Sequence, residues 1–206
     1  MIDEFNPSVR EDYKGEARID DNETLLMIDS TLGDGPAEHV MDYIISYTLR
    51  SVNNSRQPVF ASYCRRILFK LLNLVDKGQF IKSVKVWKQW QFTDLSAEII
   101  LEDETGISKH ALLIENKYYS GVRLNKAGIL QTDIYKHKMT QHYSGTDFNL
   151  HFALITGISR GSDLFRIYDC VQSSGFNVFS IYDFIESGQE DCESDIFNQF
   201  WLRSWS

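Results

Sequence analysis

Ala111-Leu112-Leu113-Ile114-Glu115-Asn116-Lys117 runs four apolar residues straight into an acid and a base set two apart. In a β-strand, residues i and i+2 share a face, so Glu115 and Lys117 project side by side. The apolar run ahead of them reads as a strand buried on both faces. Charges at the end of a buried strand need a partner. Asp94 offers one 21 residues earlier, at the head of another strand-like run. The trio Asp94, Glu115 and Lys117 is either a metal-dependent phosphodiester-cutting site or an ordinary ion pair at a strand end. A buried ion pair is a costly way to stabilise a sheet, which favours the first.

Working outward, Leu95, Ala97, Ile99 and Leu101 alternate with Asp94, Ser96 and Glu98, the period of a strand over Asp94 to Glu102. Asp103-Glu104-Thr105-Gly106 is a hairpin turn, and Ile107 to Tyr118 is the return strand. Phe80 to Trp90 reads as a rough strand rich in Lys and Trp. Upstream, Val40, Met41, Ile44, Ile45 and Leu49 make an amphipathic helix of Glu38 to Leu49, with Asp34-Gly35-Pro36 as its cap. Pro58 opens a second helix, Val59 to Asp76, which Gly78 ends. Downstream come a helix from Asn125 to His142 and a buried strand from Leu150 to Thr156. A loop follows from Gly157 to Gly161, then a short helix from Asp163 to Val171 and a strand from Phe176 to Ile181. The tail ends in a helix with Ile196, Phe197, Phe200 and Trp201 on one side. Three strands joined by short turns pair antiparallel, and the helix before Leu150 is long enough to cross over to a parallel neighbour. The fold class is therefore α/β, a central mixed β-sheet flanked by helices. One domain over residues 1–206 is expected, with a loose acidic arm over about residues 1–22 and a C-terminal helix over about residues 190–206.

Composition narrows the function. With 43% hydrophobic and 13% aromatic residues the chain can bury a sizeable core. No apolar run approaches the roughly 18 residues that span a bilayer. MIDEFNPSVRED is acidic and polar, unlike a secretory signal. Three scattered cysteines with no CxxC pair suggest neither zinc nor disulfides, so a reduced, cytoplasmic protein is expected. The five histidines lack HExxH spacing, and GxGxxG, Walker and GxSxG motifs are absent. The net charge is −8, but residues 43–138 carry fifteen Lys/Arg against eight Asp/Glu. A phosphate backbone responds to that local field rather than to the sum. Lys77, Lys82, Lys85 and Lys88, with Trp87 and Trp90, suit either a nucleic-acid track or a lysine-protected sheet edge.

The order of Asp at a strand head, turn, apolar strand ending Glu-x-Lys, then a helix with Gln-x-x-x-Tyr resembles the PD-(D/E)XK nuclease superfamily. Ile114-Glu115-Asn116-Lys117 followed by Gln131 and Tyr135 is similar to its bacterial branch with an I-E-N-K strand and a Q-x-x-x-Y helix. The resemblance is close from Asp94 to Tyr135. It extends to the helix beginning at Glu38, and Thr93 stands where the motif's name has proline.

The resemblance implies a restriction-endonuclease-like α-β-β-β-α-β core. It also implies Mg²⁺-dependent hydrolysis of DNA phosphodiesters, with Mn²⁺ as an alternative ion, in bacterial defence or DNA processing. Asp94, Glu115 and the backbone carbonyl of Asn116 would be the metal's oxygen ligands, enough for an ion that keeps several waters. Glu38 would reach the metal from the first helix, or simply suit that helix's dipole. Lys117 would orient the attacking water or neutralise charge developing on phosphorus. Gln131 would touch the phosphate or the water, and Tyr135 would prop Glu115 or Lys117. The plainer alternative for these two is an exposed amide and a core ring. Enzymes that cut both strands often pair two sites, which leaves a homodimer open. The alternative function is a catalytically weak nucleic-acid- or protein-binding module on the same fold.

Overall fold

The computed structural model describes residues 34–90 and 93–205, with side chains from Glu38 onward. The acidic arm of residues 1–22 and the capping side chains of Asp34 and Pro36 lie outside the described residues. Helix α1 (Asp34–Arg50) buries Met41, Ile44, Ile45 and Leu49, an i, i+3, i+4, i+8 stripe. Helix α2 (Pro58–Leu71) carries its proline in the first turn and buries Phe60, Cys64, Ile67, Leu68 and Leu71. It stops well before Gly78. Leu74 N–H donates to the Phe69 carbonyl at 3.0 Å and Asn73 N–H to that of Lys70 at 3.0 Å, while Asn73 adopts φ 52°. This is a Schellman stop, with asparagine in the left-handed position that glycine usually takes.

Five strands follow: β1 (Phe80–Lys88), β2 (Leu95–Asp103), β3 (Gly106–Lys117), β4 (Phe148–Thr156) and β5 (Asn177–Ser180). They form one mixed sheet in chain order. β1–β2 and β2–β3 are antiparallel, whereas β3–β4 and β4–β5 are parallel. Short turns make the antiparallel half, and the crossovers that parallel pairing requires make the other. The first crossover is α3 (Gln131–His142); the second is a 3₁₀ turn (Asp163–Tyr168) running into α4 (Asp169–Ser173). Helix α3 starts six residues later than its pattern suggests. Asn125 Oδ1 accepts the N–H groups of Ala127 and Ile129, each at 2.9 Å, and Gly128 sits at φ 77°. An Asx turn and a left-handed residue cannot continue a helix.

Two cores sandwich the sheet. One joins α1, α2 and the C-terminal segment to Leu95, Ala97, Ile99, Leu112 and Ile114. The other joins α3, the 3₁₀ turn and α4 to Ala111, Leu113, Phe152 and Leu154. The C-terminal segment, α5 (Asp195–Phe197) continuing as a π-helical stretch (Asn198–Arg203), is part of that first core. Trp201 is 1% exposed, and its indole N–H donates to Thr48 Oγ1 at 2.9 Å. Phe197 and Phe200 are likewise buried, and Ile196 alone of the expected stripe faces out. Among the described residues no helix is long and apolar enough to cross a membrane.

Candidate functional site

The alternation of β3 fixes what its last three residues can reach. Ala111 and Leu113 pack toward α3, and Leu112 and Ile114 toward α1 and α2. Glu115 and Lys117 therefore continue the α3 face, and Asn116 the α1 face. On β2, Leu95 pairs with Ile114, so Asp94 is the next residue out, beside Glu115. Its parity with Ser96 and Glu98 puts it on the same α3 face. Asp94 Oδ2 accepts the Asn116 backbone N–H at 2.7 Å, so a side chain extends the ladder where β2 ends. Asp94, Glu115 and Lys117 thus meet at the carboxyl end of β3.

Glu115 is 1% exposed. Its Oε1 takes the Lys117 ammonium at 2.8 Å, and its Oε2 is buried without a partner. Lys117 also lies 3.8 Å from Glu38 Oε2. Glu38 Oε1 accepts the Ser120 hydroxyl at 2.6 Å and the Tyr118 N–H at 3.4 Å. The first helix therefore does bring its acid to the site, engaged with Lys117 and the segment after β3. On the opposite face, Asn116 Nδ2 donates to Asp42 Oδ1 at 2.7 Å, and Asn116 Oδ1 is buried and unpaired. Gln131, at the start of α3, donates its amide to the Tyr135 hydroxyl. Its own Oε1 is buried without a partner. Tyr135 is 4% exposed and belongs to the core that includes Ala111 and Leu113.

Three carboxyls here titrate high. Burial, then the charge of Asp94, pushes Glu115 up to about 7 against the pull of Lys117. Burial raises Asp94 as well, offset by the Asn116 N–H and Lys117. Burial and Asp94 lift Asp42 to about 6, despite the Asn116 amide. Burial works to lower Lys117, but Glu115, Glu38 and Asp94 together raise it. Burial also raises Tyr135, which feels the charges of Glu115, Asp94 and Lys117 and so sits within their field. Three carboxylates, Glu115, Glu38 and Asp94, face one ammonium, so the site is short of positive charge.

Its free donors are oxygens, the kind a hard cation takes. Asp94 and Glu115 are the two carboxylates that could share one. Among the described residues no three His, Cys, Asp or Glu side chains form a ready-made ligand set. An ion held by these two side chains alone would have to keep much of its own hydration.

Asp42 is the residue the pattern hid. An acid between Met41 and Ile45, on the buried stripe and one turn after Glu38, was its available signal. Gly157 is another. Its N–H donates to the carbonyls of Lys117 and Tyr118 at 3.2 and 3.0 Å, and a Cβ there would lie 2.8 Å from the Tyr118 oxygen. Only glycine lets the end of β4 close against the end of β3. Compared with protein-family models, curated proteins and solved structures, the chain matches none.

Proposed function

We propose that the chain is a metal-dependent nuclease of the PD-(D/E)XK type, on a restriction-endonuclease-like core, that hydrolyses phosphodiester bonds in DNA. Bacterial defence or DNA processing in the cytoplasm is the setting that goes with it. One observation carries the proposal: Asp94 stands beside Glu115 on the neighbouring strand, with Lys117 on the same face. The carboxyl ends of parallel strands in α/β sheets are where ligands bind. The unpaired Glu115 Oε2 and the high-titrating carboxyls add support, because a buried anion cluster gains most from a cation.

Bound there, Mg²⁺ or Mn²⁺ supplies charge to the phosphate and acidity to a water. Asp94 and Glu115 hold it, and the Asn116 N–H holds Asp94 in place. Lys117 keeps a fixed ammonium where charge develops on the phosphoryl oxygens, and a preset charge of that kind accounts for much of a catalytic rate. Glu38 and Ser120 position Lys117. Gln131 presents a fixed oxygen acceptor beside Tyr135, which packs behind the strand.

The closed Glu115–Lys117 pair favours a second function, a binding module with little catalysis. A panel of circular, linear and single-stranded DNA, incubated with Mg²⁺, Mn²⁺ or chelator, separates the two. The nuclease degrades DNA only with metal, and Glu115→Ala or Lys117→Ala abolishes this while the proteins stay folded. A wild type that is inert on DNA and RNA with every metal, yet shifts nucleic acid in a gel, is the binding module.

A further inference from the structure

A hollow lies on the same face of the sheet as the Asp94–Glu115–Lys117 cluster, one residue pair from Asp94. Trp87, Trp90, Ser96, Glu98, His142 and Tyr143 line it, with Met139 also in its wall, and it encloses about 120 Å³. Ser96 and Glu98 follow Asp94 along β2 at i+2 and i+4, so all three share a face, with about 7 Å between Asp94 and Ser96. Trp87 is the cross-strand partner of Ser96. The hollow thus opens within reach of one nucleotide from the Asp94–Glu115–Lys117 cluster.

Its chemistry is that of a stacking pocket with a polar floor. Trp87 leaves 40% of its surface in water, on the edge strand of the sheet. Trp90 stands edge-on to His142 with ring centroids 5.1 Å apart. Glu98 Oε1 accepts the Tyr143 hydroxyl at 2.9 Å, which orients the carboxylate, and among the described residues its other oxygen has no hydrogen-bond partner. Ser96 adds a hydroxyl to the floor. A flat ligand that stacks on tryptophan and donates N–H to a carboxylate fits these groups.

From this we infer that the hollow receives an unpaired, amino-bearing nucleobase, the one next to the phosphate held at Asp94, Glu115 and Lys117. The inference rests on the nuclease proposal and narrows it to single-stranded or locally unpaired substrates, because a base inside a duplex cannot enter. Cytosine, adenine and guanine carry an exocyclic amino donor for Glu98, as a carboxylate reads cytosine N4. Thymine has no amino group, and its single N3–H lies between two carbonyls that repel the carboxylate, so it is disfavoured. The Lys- and Trp-rich strand β1 then acts as the outer wall of a single-strand track.

The test is binding without cleavage, in chelator, by tryptophan fluorescence and anisotropy with oligo(dC), oligo(dT) and a duplex of equal length. Wild type is expected to bind oligo(dC) with quenched fluorescence, more tightly than oligo(dT) or duplex. Trp87→Ala weakens oligo(dC) binding by about tenfold, the effect of losing one stacked base. Glu98→Gln narrows the dC-over-dT preference with folding intact by circular dichroism. Equal or tighter binding of duplex by wild type, or unchanged oligo(dC) affinity in both variants, overturns the inference. Adding Mg²⁺ keeps the two proposals apart. Duplex cleavage indifferent to Trp87→Ala leaves the nuclease standing and removes the pocket. Selective binding with no cleavage does the reverse.

Discussion

At Glu115 the choice between an active group and a structural brace becomes measurable. Its folded-state pKa is raised from 4.5 to about 7, so the folded protein binds more protons than the unfolded chain between those values. Stability from this group is full below about pH 4.5 and is lost as pH rises through 7. Glu115→Gln removes the charge that burial penalises. At pH 8 it is expected to leave the melting temperature unchanged or to raise stability by about 1 kcal/mol, read by thermal unfolding. A clear fall would mean that the Glu115–Lys117 pair holds the sheet together. The trio itself was legible in sequence because strand parity and the Glu-x-Lys spacing fix a shared face, and the Leu95↔Ile114 register sets Asp94 beside it. Asp42 was not legible. Its role depends on Asn116 turning to the other face to meet it, a contact between residues 74 positions apart.

Element boundaries show where local chemistry overrides periodicity. The apolar stripe of α2 continues past Leu71, yet Asn73 ends the helix by taking φ 52° and closing two backbone bonds. Asn73→Gly is expected to hold or raise stability by up to about 1 kcal/mol, because glycine adopts that conformation without strain. Asn73→Val is expected to cost at least about 1 kcal/mol. Urea midpoints check both, and equal midpoints for the two variants would contradict this helix stop. In the same way, the pattern from Asn125 to His142 was helical in its apolar residues alone. The Asx turn at Asn125 and the backbone of Gly128 break its first third. The antiparallel and parallel halves of the sheet were legible because short turns and a long crossover leave few other pairings. The exact helix ends were not, since they hang on single residues in the left-handed region.

Across the whole molecule, charge and titration are unevenly spread. Basic residues are concentrated over residues 43–138 and acids toward both ends, and the raised carboxyls gather at one end of the sheet. Away from them, on the face under α1 and α2, His110 Nδ1 and His151 Nε2 lie 2.9 Å apart. Burial, then the charge of His110, lowers His151 to about 4, and burial lowers His110 too. Below pH 6.5 the unfolded chain takes up protons that the folded pair refuses, so stability falls as pH drops from about 6.5 to 4. His151→Gln keeps a hydrogen-bonding side chain and does not titrate. Wild type is expected to lose about 1–2 kcal/mol relative to it across that window, part of the full shift being screened by solvent. Urea curves at stepped pH measure this, and comparison with the variant cancels the opposite slope from Glu115 and Asp42. Parallel curves would contradict it. The central claim, that the sheet's carboxyl end is a metal-dependent cutting site, meets its most direct test in a cleavage time course on plasmid and on single-stranded circular DNA over a Mg²⁺ titration. Wild type is run beside Asp94→Asn and Glu115→Gln. The predicted result is metal-dependent cleavage by wild type that slows at least roughly a hundredfold in each variant. Cleavage by both variants at the wild-type rate, or a wild type inert at every Mg²⁺ concentration, would contradict it.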